Sequence, residues 1–478
     1  MLFNSVQYLI FFTIVATIYF LISHKYRWFF LLVASYYFYM CWKIEYVFLL
    51  FASTISVYIA GILIEKQKDS FNKKWILLIT LLFNLGILFV FKYYNFFNDS
   101  LQIVFKKFNL FYNTPTLKLL LPVGISFYTF QVISYLIDVY RDEKGAEKHL
   151  GYFAVFVAFF PKLIAGPIER ASNLLPQFYE KHEFDYQRIT DGLKLIAWGV
   201  FQKVVIADRI AVYVDQIYNN PGDYVGAPVA LATVFYAFQV FCDFSGYSDI
   251  AIGSAQVLGF KLMKNFDRPY FAKSISEFWR RWHISLYSWL SNYIYNPILI
   301  SKRNWGLIAI VFSLFVTFSI SGLWHGANWT FVIWGLLHGL MLSIDAVTKK
   351  NRKKIKKIIP KKIYDGISIL FTFSFVCFAY IFFRANTVSD AFLIIRNIAS
   401  IDIMNFNVNV IQIDKKELLM MFLSIAILQI VHLIQGKVQI RQYIAKRKFL
   451  FRWALYISFV SYILFFRTTG PPFIYFQF

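Results

Sequence analysis

Long apolar runs recur from one end of the chain to the other, separated by short polar loops. A helix of about 20 predominantly apolar residues crosses the hydrocarbon core of a bilayer, and several runs reach or approach that length. The pattern predicts helices over residues 8–21, 28–42, 47–64, 75–91 and 119–140, and again over 363–383, 418–434 and 453–466. The middle of the chain gives three comfortable runs: 229–240 with an extension, 307–323 and 330–344. Elsewhere the simple pattern fails. Two prolines and a glycine interrupt residues 159–170, so no straight helix fits there. Residues 191–217 carry charge all round and read as a surface or interfacial helix, and 95–118 reads as a polar, aromatic outer segment. The expected fold is all-α and polytopic in a membrane, with 1–478 taken as a single membrane domain.

Charge orients these runs. Residues 1–7 carry no charged side chain, whereas His24, Lys25 and Arg27 follow the first helix, which places the N-terminus outside. The first run has neither a charged segment before it nor a small-residue cleavage pattern after it, so it reads as a retained helix. Residues 349–362 hold nine Lys/Arg and no acid, and 437–452 hold six and no acid; both are expected in the cytoplasm. Residues 141–148 fall on that side too, so an even number of crossings must separate them from 349–362. Three are evident, and parity demands a fourth or a re-entrant segment.

Composition agrees: 59% of residues are hydrophobic and 21% aromatic. The net charge of +23 sits in loops between apolar segments, which argues against a nucleic-acid partner and for attraction to membrane lipid headgroups. Cys41, Cys242 and Cys377 are far apart and indicate neither a disulfide framework nor a metal cluster.

Against this background the polar residues inside apolar runs stand out. Residues 305–347 contain no Lys, Arg or Glu and one Asp near the far end, yet His325 lies near the middle, in Ser321-Gly322-Leu323-Trp324-His325-Gly326-Ala327-Asn328-Trp329. A titratable ring at that depth is costly, so a functional site is its default reading. The glycines and Asn328 break the run, which is tolerated only where backbone is buried in protein or lines a wet cavity. Asp243 and Asp249 also need partners, and Arg280, Arg281 and Lys261 are at hand for ion pairs. The segment Phe278-Trp279-Arg280-Arg281-Trp282-His283 offers either an interfacial anchor or an anion-binding and stacking surface. In the second case Arg280 and Arg281 would take phosphate and Trp282 a flat base. His338 reads as structural. No Walker, dinucleotide, nucleophile-elbow or zinc-protease motif occurs, and no Cys or carboxylate is spaced to join His325 around zinc. What remains is imidazole acid–base chemistry within the membrane, best matched to taking a proton from a hydroxyl that attacks an activated acyl group.

Taken together, the segments 121–130, 159–170, 278–289 and 321–329, with Phe382-Phe383-Arg384-Ala385 and the closing 472–478, resemble the membrane-bound O-acyltransferase superfamily, in its bacterial alginate and peptidoglycan O-acetylation branch. The resemblance implies a ring of tilted helices around a central tunnel, with broken or re-entrant segments. It implies that His325 is the family's catalytic histidine and His283 its second polar position. It further implies acetyl-CoA as cytoplasmic donor with no bound cofactor, and a location in the bacterial inner membrane. The acceptor would be a periplasmic serine-esterase-like acetyltransferase or the polysaccharide itself. D-alanyl transfer to teichoic acid, and a polymer transporter without chemistry, are the alternatives.

Overall fold

A computed structural model describes residues 1–112, 114–164, 166–400, 414–468, 470–471 and 473–474. Among them there are helices of α, π and 3-10 type and no strand. Among the described residues, eight helices are long and apolar enough to cross a membrane: Tyr46–Lys66, Ser70–Lys107, Ala227–Leu258, Leu307–His325, Trp329–Val347, Lys361–Arg384, Lys415–Gln435 and Phe449–Phe466. The all-α, polytopic membrane architecture follows. Ala165, Pro472 and residues 475–478 of the quoted motifs lie outside the described residues.

The chain divides into two compact units, Met1–Leu193 with Ala251–Met263, and Lys194–Ile250 with Lys264–Phe478. In the first, the helix predicted over 119–140 starts later than expected. Pro122 and a left-handed Gly124 (φ 77°) delay the helix to Ile125–Tyr140, and fourteen of its sixteen residues are buried. It is an interior helix, because an element without a lipid-facing stripe must be covered all round. Residues 95–118 are helical only in their first part. The Ser70–Leu88 helix runs on through a π turn, Phe89–Tyr93, into Tyr94–Lys107. The chain then folds back, with Asn95 exchanging hydrogen bonds with the Leu117 backbone at 2.8 and 2.9 Å. In the 159–170 motif, Pro161 sits in the first turn of Phe160–Leu163, where a missing N–H costs nothing. The buried Lys162 ammonium donates to Gln131, and Glu169 accepts from the Met263 amide. This motif therefore builds the interior of the first unit.

The second unit holds the unusual polar features. Residues 191–217 are not a surface helix: a π turn, Gln202–Ala207, leads into Asp208–Tyr218, and Lys203, Asp208 and Arg209 are all buried. Asp243 pairs with Lys203 at 2.7 Å and Asp249 accepts from Gln202 at 2.8 Å, so the expected partners Arg280, Arg281 and Lys261 are not the ones used. These contacts allow Ala227–Leu258 to run for 32 residues across two acids that the apolar pattern could not bridge. A charge at the centre of a membrane helix otherwise costs about 2.5–3.5 kcal/mol.

Candidate active site

His325 ends the helix Leu307–His325, and Trp329–Val347 returns beside it as a tight hairpin. Three residues make the turn. Asn328 caps the second helix by accepting from the Thr330 amide at 3.1 Å. The helices touch backbone to backbone: a Cβ on Gly322 would strike the Phe331 carbonyl, and one on Gly335 the Phe318 carbonyl. That approach is the reason for glycine at both places, and it fixes where the His325 ring stands.

The ring is 1% exposed and enclosed by aromatic faces. Its centroid lies 5.0 Å from Trp324, 4.9 Å from Trp334 and 5.3 Å from Phe383, each near edge-on. Trp334 stands equally close, at 4.9 Å, to His338, whose Nδ1 accepts from Trp279 Nε1 at 3.2 Å. His338 thus joins the cluster as a hydrogen-bonded member, in line with its structural reading.

His283 reaches the same place from another element. It precedes Ile284–Leu290 in a left-handed conformation (φ 41°, ψ 55°), which costs a non-glycine residue on the order of 1 kcal/mol or more. Asn265 holds it there. Asn265 Nδ2 donates to Ser248 at 3.1 Å, which turns its Oδ1 towards Ser285 Oγ at 2.9 Å and His283 Nδ1 at 3.1 Å. A carbonyl oxygen can only accept, so His283 donates from Nδ1 and Nε2 is its basic nitrogen. The Asn265 carbonyl also accepts the Ile284 amide at 2.9 Å. Burial pushes the His283 pKa down to about 3, so the ring is neutral at physiological pH. Trp324 lies between the two histidines, 5.8 Å from His283 and 5.0 Å from His325.

The other predicted residues are engaged elsewhere or exposed. Arg280 is exposed, and Arg281 bonds Glu277 at 2.5 Å. Trp282 is 3% exposed and stacked on Phe278 at 5.6 Å, with Phe266 and Tyr380 against it. Its ring is packed into the core rather than presented to a ligand. The segment 276–281 sits at the Val347 end of the hairpin, since the Ser276 amide donates to Asp345 at 3.0 Å and Lys273 pairs with Asp365 at 2.8 Å.

A cavity of about 550 Å³ opens at the opposite end. Gly326, Asn328 and Phe331 of the hairpin line it, with Phe383 and Arg384 from the end of Lys361–Arg384. Tyr236, Gln239 and Asp243 also line it, and they lie on one face of Ala227–Leu258 because three, four and seven residues return a helix to the same side. Among the described residues, the buried Tyr236 hydroxyl and Gln239 Oε1 find no hydrogen-bond partner. Buried polar atoms are ordinarily satisfied, so these mark a face that meets water or a polar ligand. Arg384 donates to Asp215 at 2.5 Å at the rim. His325 does not itself line the cavity; the wall begins at the next residue, and Phe383 stands between. Asn265 and Lys203 escaped sequence reasoning because each acts through partners far away in the chain, and Tyr236 and Gln239 because only the folded cavity brings their polar atoms to a common wall.

Comparison with known proteins identifies the family of the chain. Residues 141–384 match the model of MBOAT, the membrane-bound O-acyltransferase family. A peptidoglycan O-acetyltransferase from Helicobacter pylori is 35% identical over 371 residues, 71% of this chain and 67% of that protein. A probable alginate O-acetylase from Pseudomonas putida is 42% identical over 313 residues, 64% of this chain and 61% of that protein. A teichoic acid D-alanyltransferase from Bacillus subtilis is 28% identical over 274 residues, 55% of this chain and 69% of that protein. The chain thus spans about three fifths to two thirds of the length of these curated relatives. His325, His283 and the cavity beside them all fall in or against the matched stretch, and the chain belongs to the membrane-bound O-acyltransferase family.

Proposed function

We propose that this protein transfers an acetyl group from acetyl-CoA on the cytoplasmic side of the bacterial inner membrane to a hydroxyl acceptor on the outer side, for O-acetylation of an envelope or exported polysaccharide. The observation that carries the reading is the meeting of His325 and His283 around Trp324, within a family of O-acyltransferases, one residue away from a polar cavity. His325 takes the proton from the acceptor hydroxyl. The hydroxyl oxygen then bonds to the acyl carbon while the carbon–sulfur bond breaks, and the proton passes to the departing thiolate. His283, neutral and fixed by Asn265, orients the reacting groups through Nε2. A rotation of the Phe383 side chain joins the cavity to the His325 imidazole.

Sidedness follows from the basic loop 349–362. With that loop in the cytoplasm, the Val347 end of the hairpin and the nearby Arg280 and Arg281 face the donor, whose phosphates they would contact. The cavity at the Asn328 and Arg384 end faces the acceptor, a periplasmic serine-esterase-like acetyltransferase or the polymer itself. Acetyl transfer is preferred to D-alanyl transfer because the acetyl-transferring relatives are 35% and 42% identical, against 28% for the D-alanyl-transferring one. The test is His325→Ala in the native host, with O-acetyl content measured on peptidoglycan and on secreted polymer. Loss of acetate at unchanged membrane abundance is the expected result. Wild-type acetate in that variant would overturn the assignment.

A further inference from the structure

Five successive contacts fasten the end of the chain to one edge of the second unit. Arg209 donates to the Phe466 carbonyl at 2.8 Å, and the Thr468 amide donates to the Val204 carbonyl at 2.9 Å. Gly470 lies against Asp208 so closely that a Cβ would stand 2.5 Å from its side chain. Lys203 donates to the Pro471 carbonyl at 3.1 Å, and the Ile474 amide donates to Asp243 at 2.7 Å. The π turn Gln202–Ala207 makes part of this possible. Its hydrogen bonds reach one residue further than those of an α-helix, and the Val204 carbonyl is turned to Thr468 instead.

At the centre Lys203 is 2% exposed and sits 2.7 Å from both Asp208 and Asp243. One cation between two buried carboxylates is an expensive arrangement for packing alone, since apolar residues of similar volume serve stability as well. What the arrangement holds is specific. Pro471 and Ile474 line the cavity, and Phe473 between them stacks on Tyr247 at 4.3 Å. Phe473 also packs against Phe244 at 5.8 Å, and Phe244 meets the His283 ring edge-on at 4.6 Å.

We infer that Lys203 is a positioning residue: clasped between Asp208 and Asp243, it seats the closing segment as a wall of the cavity and, through Phe473 and Phe244, holds the His283 ring in place. The catalytic consequence rests on the acyl-transfer reading above; the seating of the segment does not.

The test therefore has two arms. In a Cys41→Ser background, Ile474→Cys is treated in membranes with a polymer-tagged maleimide too large for the cavity. The label is excluded in the protein with native Lys203 and Gly470, and it is taken up in Lys203→Ala and in Gly470→Ala, which pushes the segment off the Asp208 side chain while removing no charge. Lys203→Arg, which keeps the cation, restores exclusion. In parallel, CoA release from acetyl-CoA is followed in membrane vesicles from the native host. Misplacement of His283 lowers kcat on the order of a hundredfold, while KM for acetyl-CoA stays within about twofold. Ile474→Cys that stays shielded in both Lys203→Ala and Gly470→Ala overturns the seating. Free labelling at unchanged kcat overturns the positioning role. Absence of CoA release from the unmodified protein would instead strike the acyl-transfer reading, with the labelling result intact.

Discussion

Gly322→Ala tests the link between the helical hairpin and the chemistry most directly. The added methyl group would land on the Phe331 carbonyl oxygen, roughly an ångström inside ordinary van der Waals contact. The Val332 Cα, 3.3 Å away, blocks a sideways escape. The obstacle is helix backbone, which has no rotamer to change, so the two helices must part by about 1 Å. Overpacking of this kind costs about 1–3 kcal/mol. His325 lies three residues on, in the same turn as Gly322, and moves with it. A displacement of about 1 Å at a catalytic group costs on the order of a hundredfold in turnover. The purified protein would be assayed in nanodiscs for its thermal midpoint and for acetyl transfer. Gly86→Ala is the control: nothing lies within 4 Å of its added carbon, and alanine favours a helix over glycine by up to about 1 kcal/mol. Wild-type turnover in Gly322→Ala, or an equal loss in Gly86→Ala, would refute the argument.

Other expectations follow from the same geometry. Asn265→Ala leaves His283 Nδ1, Ser285 and Ser248 without their shared partner and should lower stability by about 2–4 kcal/mol, read as a drop in denaturation midpoint. His283 contributes a pH dependence of defined sign. Its folded pKa of about 3 lies below the usual imidazole value near 6.5. Between the two, the unfolded chain binds a proton that the folded chain refuses, so stability rises with pH by about 1.4 kcal/mol per unit and levels off above about pH 6.5. In His283→Gln the slope of stability between about pH 4.5 and 6.5 should fall by that amount in unfolding curves, and an unchanged slope would contradict the burial argument. Arg280→Gln with Arg281→Gln should raise KM for acetyl-CoA about tenfold with little change in kcat, since a uniform binding contact is lost; an unaltered KM removes both from the donor path.

Hydropathy alone was enough to predict most of the long helices, because a bilayer demands apolar length and backbone self-sufficiency whatever the neighbours are. His325 stood out for the same reason: a titratable ring is costly in a run of 43 residues without Lys, Arg or Glu, and the break at residues 326–328 set it apart from His338 in the same run. His283 stood out less sharply, and its role became concrete only with Asn265, eighteen residues earlier, which fixes the ring's tautomer and its left-handed backbone.

What the tertiary structure decided is everything that depends on partners distant in sequence. Lys203 and Asp243 are forty positions apart, and neither reads as half of a buried pair from its own surroundings. The charges of 191–217 looked solvated because periodicity cannot tell a wet face from one covered by another charged helix. Residues 119–140 gave no sign that their helix would be covered on all sides, because an interior helix and a lipid-facing one are equally apolar. The cavity is built from pieces near 215, 239, 326, 384 and 471, each unremarkable in its own stretch of chain. Local pattern measures how much a segment avoids water; only the folded chain determines which atoms replace that water, and the site is made of those replacements.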